Sequence, residues 1–150
     1  MHDCLRWVVP LGLTLAAVAT DLRWREVPDA LPVALIVWAV IACGAGMGVT
    51  PSWLTLAAGA FLGLAASVPF FAVGGWGGGD VKLLVALGTN LGPLPLLKMM
   101  VWMGLAGGIL ALISAARGRR DFAYVPAIAA GLCVQLAWPD AIENLFLRSL

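Results

Sequence analysis

Charge is what this sequence has least of. Asp, Glu, Lys and Arg make up 11% of its 150 residues, against 62% hydrophobic residues and a mean hydropathy of +0.99. A soluble globular domain carries about 25% charged residues. The composition therefore excludes such a domain and points to a polytopic membrane protein. The formal net charge is +1, so no basic face is available to neutralise phosphates, and nucleic acid is excluded as a partner. The single histidine, His2, lies in the N-terminal tail, which excludes Ser-His and Cys-His nucleophile arrangements. The three cysteines, Cys4, Cys43 and Cys133, are far apart with no C-x-x-C pair. They support neither a disulfide framework nor a zinc site, and no metal or cofactor is expected.

The few charges mark out the chain. None occurs between Ala30 and Gly79, a run of 50 residues. A helix crosses the hydrocarbon core with about 20 residues, so this run suits two spans joined near Val49-Thr50-Pro51-Ser52. The remaining uncharged runs complete about six predicted helices, over 5–21, 30–48, 53–73, 80–96, 98–116 and 122–138. Nothing alternates with the period of a barrel strand. The predicted fold is all-α, a bundle of about six transmembrane helices forming a single membrane-embedded domain over 1–150. Placing the loops 21–29, 74–82 and 117–121 in the cytoplasm gives that side Arg23, Arg25, Lys82, Arg117, Arg119 and Arg120, leaving Arg6, Lys98 and Arg148 opposite. Both termini then lie outside the cytoplasm. Trp7, Trp24, Trp53, Trp76 and Trp138 fall near span ends, where interfacial aromatic anchors belong. Ala17-Val18-Ala19 has the A-x-A form of a signal-peptide cleavage site, which would start the mature chain at Thr20. Small residues inside a retained span fit the rest of the chain better.

Two aspartates are poorly explained by topology. Asp80 follows Gly74-Gly75-Trp76-Gly77-Gly78-Gly79 and leads into the apolar Val81-Lys82-Leu83-Leu84-Val85. Its structural reading is an N-cap, with Lys82 snorkelling to the headgroups. The G-x-x-x-x-G-K-[ST] phosphate loop is absent. Asp21 ends the first predicted helix, whose uncharged stretch Trp7–Thr20 is short, about 21 Å at 1.5 Å per residue. A carboxylate there is disfavoured by the helix macrodipole, and its structural reading is an ion pair with Arg23 or Arg25. Both aspartates lie at a span boundary on the same predicted face, and ionisable groups at such positions suggest function. Two carboxylates held close share a proton, so one can act as general base toward water and the other as acid toward an amide. A Ser–Lys dyad has no serine in the loop with Lys82 to build on.

Gly77-Gly78-Gly79-Asp80-Val81-Lys82-Leu83-Leu84 resembles the catalytic segment of the type IV prepilin peptidases, G-x-G-D aspartyl proteases of the membrane boundary. Asp21, followed by Leu-Arg-Trp-Arg-Glu and then Val27-Pro28-Asp29, resembles their first catalytic segment, with Asp29 where the family usually has Asn. Phe122 to Gly131 is similar to the Pro-containing start of their last helix. The resemblance runs from Asp21 to about Trp138 and fits the short, peptidase-only class associated with tight-adherence (Flp-type) pili. It implies Asp21 and Asp80 as the catalytic pair. It implies Gly77 and Gly79 as a bare backbone beside an extended substrate, with Lys82 as an anchor of that loop or a contact for an acidic substrate group. It also implies a prepilin or pseudopilin leader as substrate, cut at the cytoplasmic face of the bacterial inner membrane, without methylation. Two other readings stay open: a G-x-G-D protease acting on other single-span proteins, and a non-enzymatic scaffold or transporter. The tail from Asp140 to Leu150 has the composition of a short interfacial helix.

Overall fold

The computed structural model describes residues 2–48, 50, 52–116 and 124–139, with the side chains of 2–6 and 115 left aside. The expectations placed on His2, Cys4 and Arg6, on the 117–121 loop with Phe122 and Ala123, and on the tail from Asp140 lie outside these described residues or side chains. Among them the chain is all-helical: α1 (His2–Trp24), α2 (Ala30–Gly44), α3 (Trp53–Ala72), α4 (Gly78–Leu91), α5 (Pro93–Ala116) and α6 (Val125–Ala137). The order matches the sequence reading, and several ends move for identifiable local reasons.

Helix α1 continues one turn past Asp21 and stops where Arg25 takes a left-handed backbone, φ 53°, ahead of Pro28. Helix α2 stops short of residue 48 because Gly46 turns left-handed at φ 68°, letting the Met47 and Gly48 N–H groups bond the Ala42 carbonyl. The largest correction concerns α4 and α5. The charge at Lys98 suggested a boundary at 97, but the break falls at Gly92, φ 79°, followed by Pro93. Proline disfavours helical geometry in the residue before it and suits the first helical position after it. Lys98 instead lies in the second turn of α5, and its Nζ donates to the Pro139 carbonyl at 3.3 Å.

At 14 residues, α4 is about 21 Å long, and its residues Leu83, Leu84 and Ala86–Leu91 are all buried. It is the central helix, enclosed by α2, α3 and α5 and touched by α1. Backbone contact fixes it on α3. A Cβ at Gly59 would collide with the Gly88 carbonyl oxygen, and one at Gly63 would lie 2.8 Å from the Leu84 oxygen. A second such seam joins α6 to α5, where a Cβ at Gly131 would lie 2.7 Å from the Met99 oxygen. On the α2 side, the buried Asn90 Nδ2 donates to the Leu35 carbonyl at 3.0 Å and to its own helix at Ala86, 2.9 Å. Outward-facing positions are apolar, with Leu54, Phe61 and Leu112 more than 70% exposed. By length and apolarity α3 and residues Pro93–Ser114 of α5 suffice to cross a membrane, whereas α2 and α6 are apolar but shorter.

Candidate active site

One end of the bundle gathers the α1–α2 connection, the α3–α4 connection and the start of α6. Gly74 takes φ 73° after α3, and the N–H groups of Gly74 and Gly75 close the turn onto Phe71 and Phe70 carbonyls. This turn sends Trp76 inward rather than to an interface. The indole is 8% exposed and stacks on Phe70 with ring centroids 4.6 Å apart, so its expected role as an interfacial anchor is not met. By contrast Trp24, Trp53 and Trp138 are exposed, and Trp7 is partly buried.

Helix α4 starts earlier than residue 80. Gly77 is its N-cap, Gly78 and Gly79 form its first turn, and Asp80 is its third residue. The Asp80 Oδ2 accepts from the Gly77 N–H at 3.0 Å, as the side chain of a capping box does, so Asp80 is not the N-cap itself. Gly79 packs closely on the segment after α1, since a Cβ there would lie 3.1 Å from the Val27 Cβ. Through that contact the segment after α1 lies on the start of α4. The result is a cavity of about 290 Å³ lined by Asp21, Gly77, Gly79, Asp80 and Lys82, with Arg25, Glu26 and Asp29 adding charge. All five residues singled out from sequence thus meet at one cavity.

The two carboxylates stand beyond the apolar stretches of their helices. Burial is the main cause raising the Asp80 carboxyl above the usual aspartate value; the Gly77 N–H opposes it, and the negative charge of Asp21 pushes further up. Asp21 is also raised by burial, less deeply, and is drawn back by the Val125 backbone N–H and by Arg25. That N–H belongs to the first residue of α6, whose N-terminal dipole favours an anion. Among the described residues the buried Asp21 Oδ2 has no hydrogen-bond partner. The charge of Asp21 is felt at Asp80, and both carboxylates line the same cavity.

Lys82 is anchored to the connection before α2. Its Nζ pairs with Asp29 Oδ1 at 2.6 Å, with both side chains more than half exposed. This contact also accounts for the third carboxylate, which makes no capping bond at the start of α2. No group of three His, Cys, Asp or Glu side chains among the described residues is placed to hold a metal ion.

Sequence reasoning missed Tyr124 and Trp76. The Tyr124 ring lies 5.2 Å from that of Trp76. Both had a signal: Tyr124 is the sole tyrosine, one residue before a helix opened by Val125-Pro126, and Trp76 is a bulky side chain among five glycines.

The site offers two carboxylates lining one cavity beside a bare backbone loop, at one end of a helical bundle. The sequence profile of the type IV leader peptidase family matches residues 7–112, more than half of the chain. The chain belongs to that family. It is also 26% identical over 151 residues to a prepilin leader peptidase/N-methyltransferase of Bacillus subtilis (strain 168), covering 94% of this chain. It spans 58% of the length of that relative. No solved structure matches it.

Proposed function

We propose that this chain is an aspartyl endopeptidase of the bacterial inner membrane that cleaves the leader peptide of prepilins or pseudopilins, with Asp21 and Asp80 as its catalytic pair. The observation that carries this reading is the convergence of the two carboxylates, from segments far apart in sequence, on one cavity walled by glycine backbone. Family membership and the peptidase name of the Bacillus subtilis relative support the reaction and substrate class. The apolar outer surface of α3 and α5 supports a multi-pass membrane setting, with all six helices embedded and α4 shielded by the others. The excess of Lys and Arg in the connections at the site's end supports a cytoplasmic orientation. The absence of paired cysteines in the sequence favours the class that serves Flp-type pili.

In the mechanism, Asp21 is the base, since the α6 N-terminus and Arg25 favour its ionised form. Asp80, more desolvated and facing the charge of Asp21, holds the proton. Asp21 takes a proton from water as the water oxygen bonds the scissile carbonyl carbon, and Asp80 hydrogen-bonds the carbonyl oxygen. Asp80 then gives its proton to the leaving nitrogen, the C–N bond breaks, and the proton on Asp21 returns to Asp80. The pair holds one proton before and after. The scissile segment must be extended for water to reach its carbonyl, and the glycine loop is the surface along which it lies.

The test is co-expression with a prepilin, comparing the wild type with Asp21→Asn and Asp80→Asn. Processing by the wild type and loss in both variants is expected. A single variant that processes at the normal rate removes the dyad assignment.

A further inference from the structure

A second cavity, of about 510 Å³, is lined in part by residues next in sequence to those of the carboxylate cavity. Its floor is α5, where Gly104, Gly108 and Ala111 repeat at helical spacing, and its walls are Phe70, Trp76 and Tyr124. We propose that this groove receives the apolar segment of the substrate just beyond the scissile bond, an inference that rests on the peptidase reading and assigns the substrate's second contact.

Two covalent continuities join the groove to the carboxylates. The glycine loop lines both: Gly75 and Trp76 face the groove, and the next residues, Gly77 to Asp80, line the carboxylate cavity. On the opposite wall Tyr124 lines the groove, and the backbone N–H of the next residue, Val125, meets Asp21. An extended chain advances about 3.3 Å per residue, so a segment laid along the loop passes from one cavity to the other within a few residues.

The lining specifies what enters. The residues Met100 and Met103 supply adaptable apolar surface, Phe70 and Trp76 supply fixed aromatic faces, and the Tyr124 hydroxyl adds one polar group beside α5. Among the described residues no atom lies within 4 Å of where a Cβ would stand on Gly104 or Gly108, so the α5 backbone is open there to close approach by another helix or an aliphatic side chain. Gly107, between them, is filled by the fold itself, as its Cβ would lie 2.7 Å from the Tyr124 hydroxyl. The two open glycines therefore face the groove, while Gly107 seats the Tyr124 ring against α5. A substrate whose polar leader crosses the charged cavity and whose apolar run enters the bilayer matches this order of surfaces.

The experiment places a benzoylphenylalanine photocrosslinker at position 108 of the full chain carrying Asp80→Asn, in membranes containing the uncleaved precursor. A control carries it at position 54, at the opposite end of α3. An adduct at 108 mapping to the precursor's apolar segment, absent at 54, is expected. Adducts only to the leader, to lipid or to a second copy of this chain overturn the proposal, as does no adduct at 108. In parallel, Gly104→Leu in the otherwise wild-type chain extends a side chain into the groove from a position where a Cβ meets no described atom within 4 Å. Losing an apolar contact of this size changes discrimination by about 10–200-fold. The KM for precursor is therefore expected to rise at least tenfold, with kcat and its pH profile held. An unchanged KM overturns the proposal. A wild-type chain that fails to cleave any precursor overturns the peptidase reading first, a result distinguishable from cleavage that ignores the groove.

Discussion

Two regions use glycine in opposite ways. In the α3–α4 seam, Gly59, Gly63 and Gly88 lack side chains so that two backbones of the same chain can touch. In the connection before α4, Gly74 supplies a left-handed turn, and Gly78 has nothing within 4 Å of its missing Cβ. Gly79 stands between the two uses, closing on Val27. The seam spends its bareness on folding, whereas the loop keeps surface open beside the carboxylates. Identical residues in one chain thus separate into a structural set and a set available to a third segment, and the distinction is testable by adding atoms.

The largest effect is expected from the pair beside the loop. Replacing Asp80 or Asp21 by Asn lowers precursor cleavage by about 10²–10⁴-fold, the usual size of a lost acid or base, measured as a single-turnover rate in membranes. The fold should survive, and Asp80→Asn should raise thermal stability in detergent at neutral pH. The Asp80 carboxyl lies above its ordinary value of 3.8, so the folded state holds the proton more tightly than the unfolded chain. Its contribution is complete below pH 3.8 and lost as pH rises through the folded value. The Asn variant lacks that loss. A Tm that falls instead breaks the assignment of burial as the dominant influence.

Next in size, Gly59→Leu or Gly88→Leu should destabilise the fold by about 1–3 kcal/mol or more through overpacking, read as a lowered Tm. Equal tolerance at Gly59 and Gly78 would erase the contrast between seam and loop. A smaller effect sharpens the chemistry. With Asp21 ionised and Asp80 protonated, cleavage should rise with pH through the Asp21 value and fall through the Asp80 value, both limbs lying above those of unperturbed aspartates. Smaller again is Lys82→Ala. An exposed ion pair contributes about 0–1 kcal/mol, so its loss should barely move Tm, and less so in high salt.

Much of the fold is legible from charge spacing, because a chain with 11% charged residues reveals its apolar runs directly. The failures occurred where charge and backbone chemistry disagreed. Lys98 looked like a boundary, yet Gly92-Pro93 ended the helix, because φ freedom and a missing N–H act on the backbone itself. Asp80 was visible as special from its glycines, but its place in the first turn of α4 required knowing that Gly77 takes the cap. Trp76 was misread because position near a span end suggests an anchor, while the turn at Gly74 directs it into aromatic contacts. Asn90 was not singled out, since a lone amide in an apolar run declares no partner until α2 supplies the Leu35 carbonyl.

The sequence alone determined an all-helical chain with two carboxylates that neither topology nor anchoring explains, because scarce charge and helical run length are local properties. Tertiary structure decided what surrounds them: Val27 seated on Gly79, Val125 facing Asp21, Lys82 held by Asp29, and Tyr124 brought against Trp76. These contacts join residues distant along the chain, and desolvation depends on everything packed around a group. Neither can be read from spacing, because both come into being only when the helices close on one another.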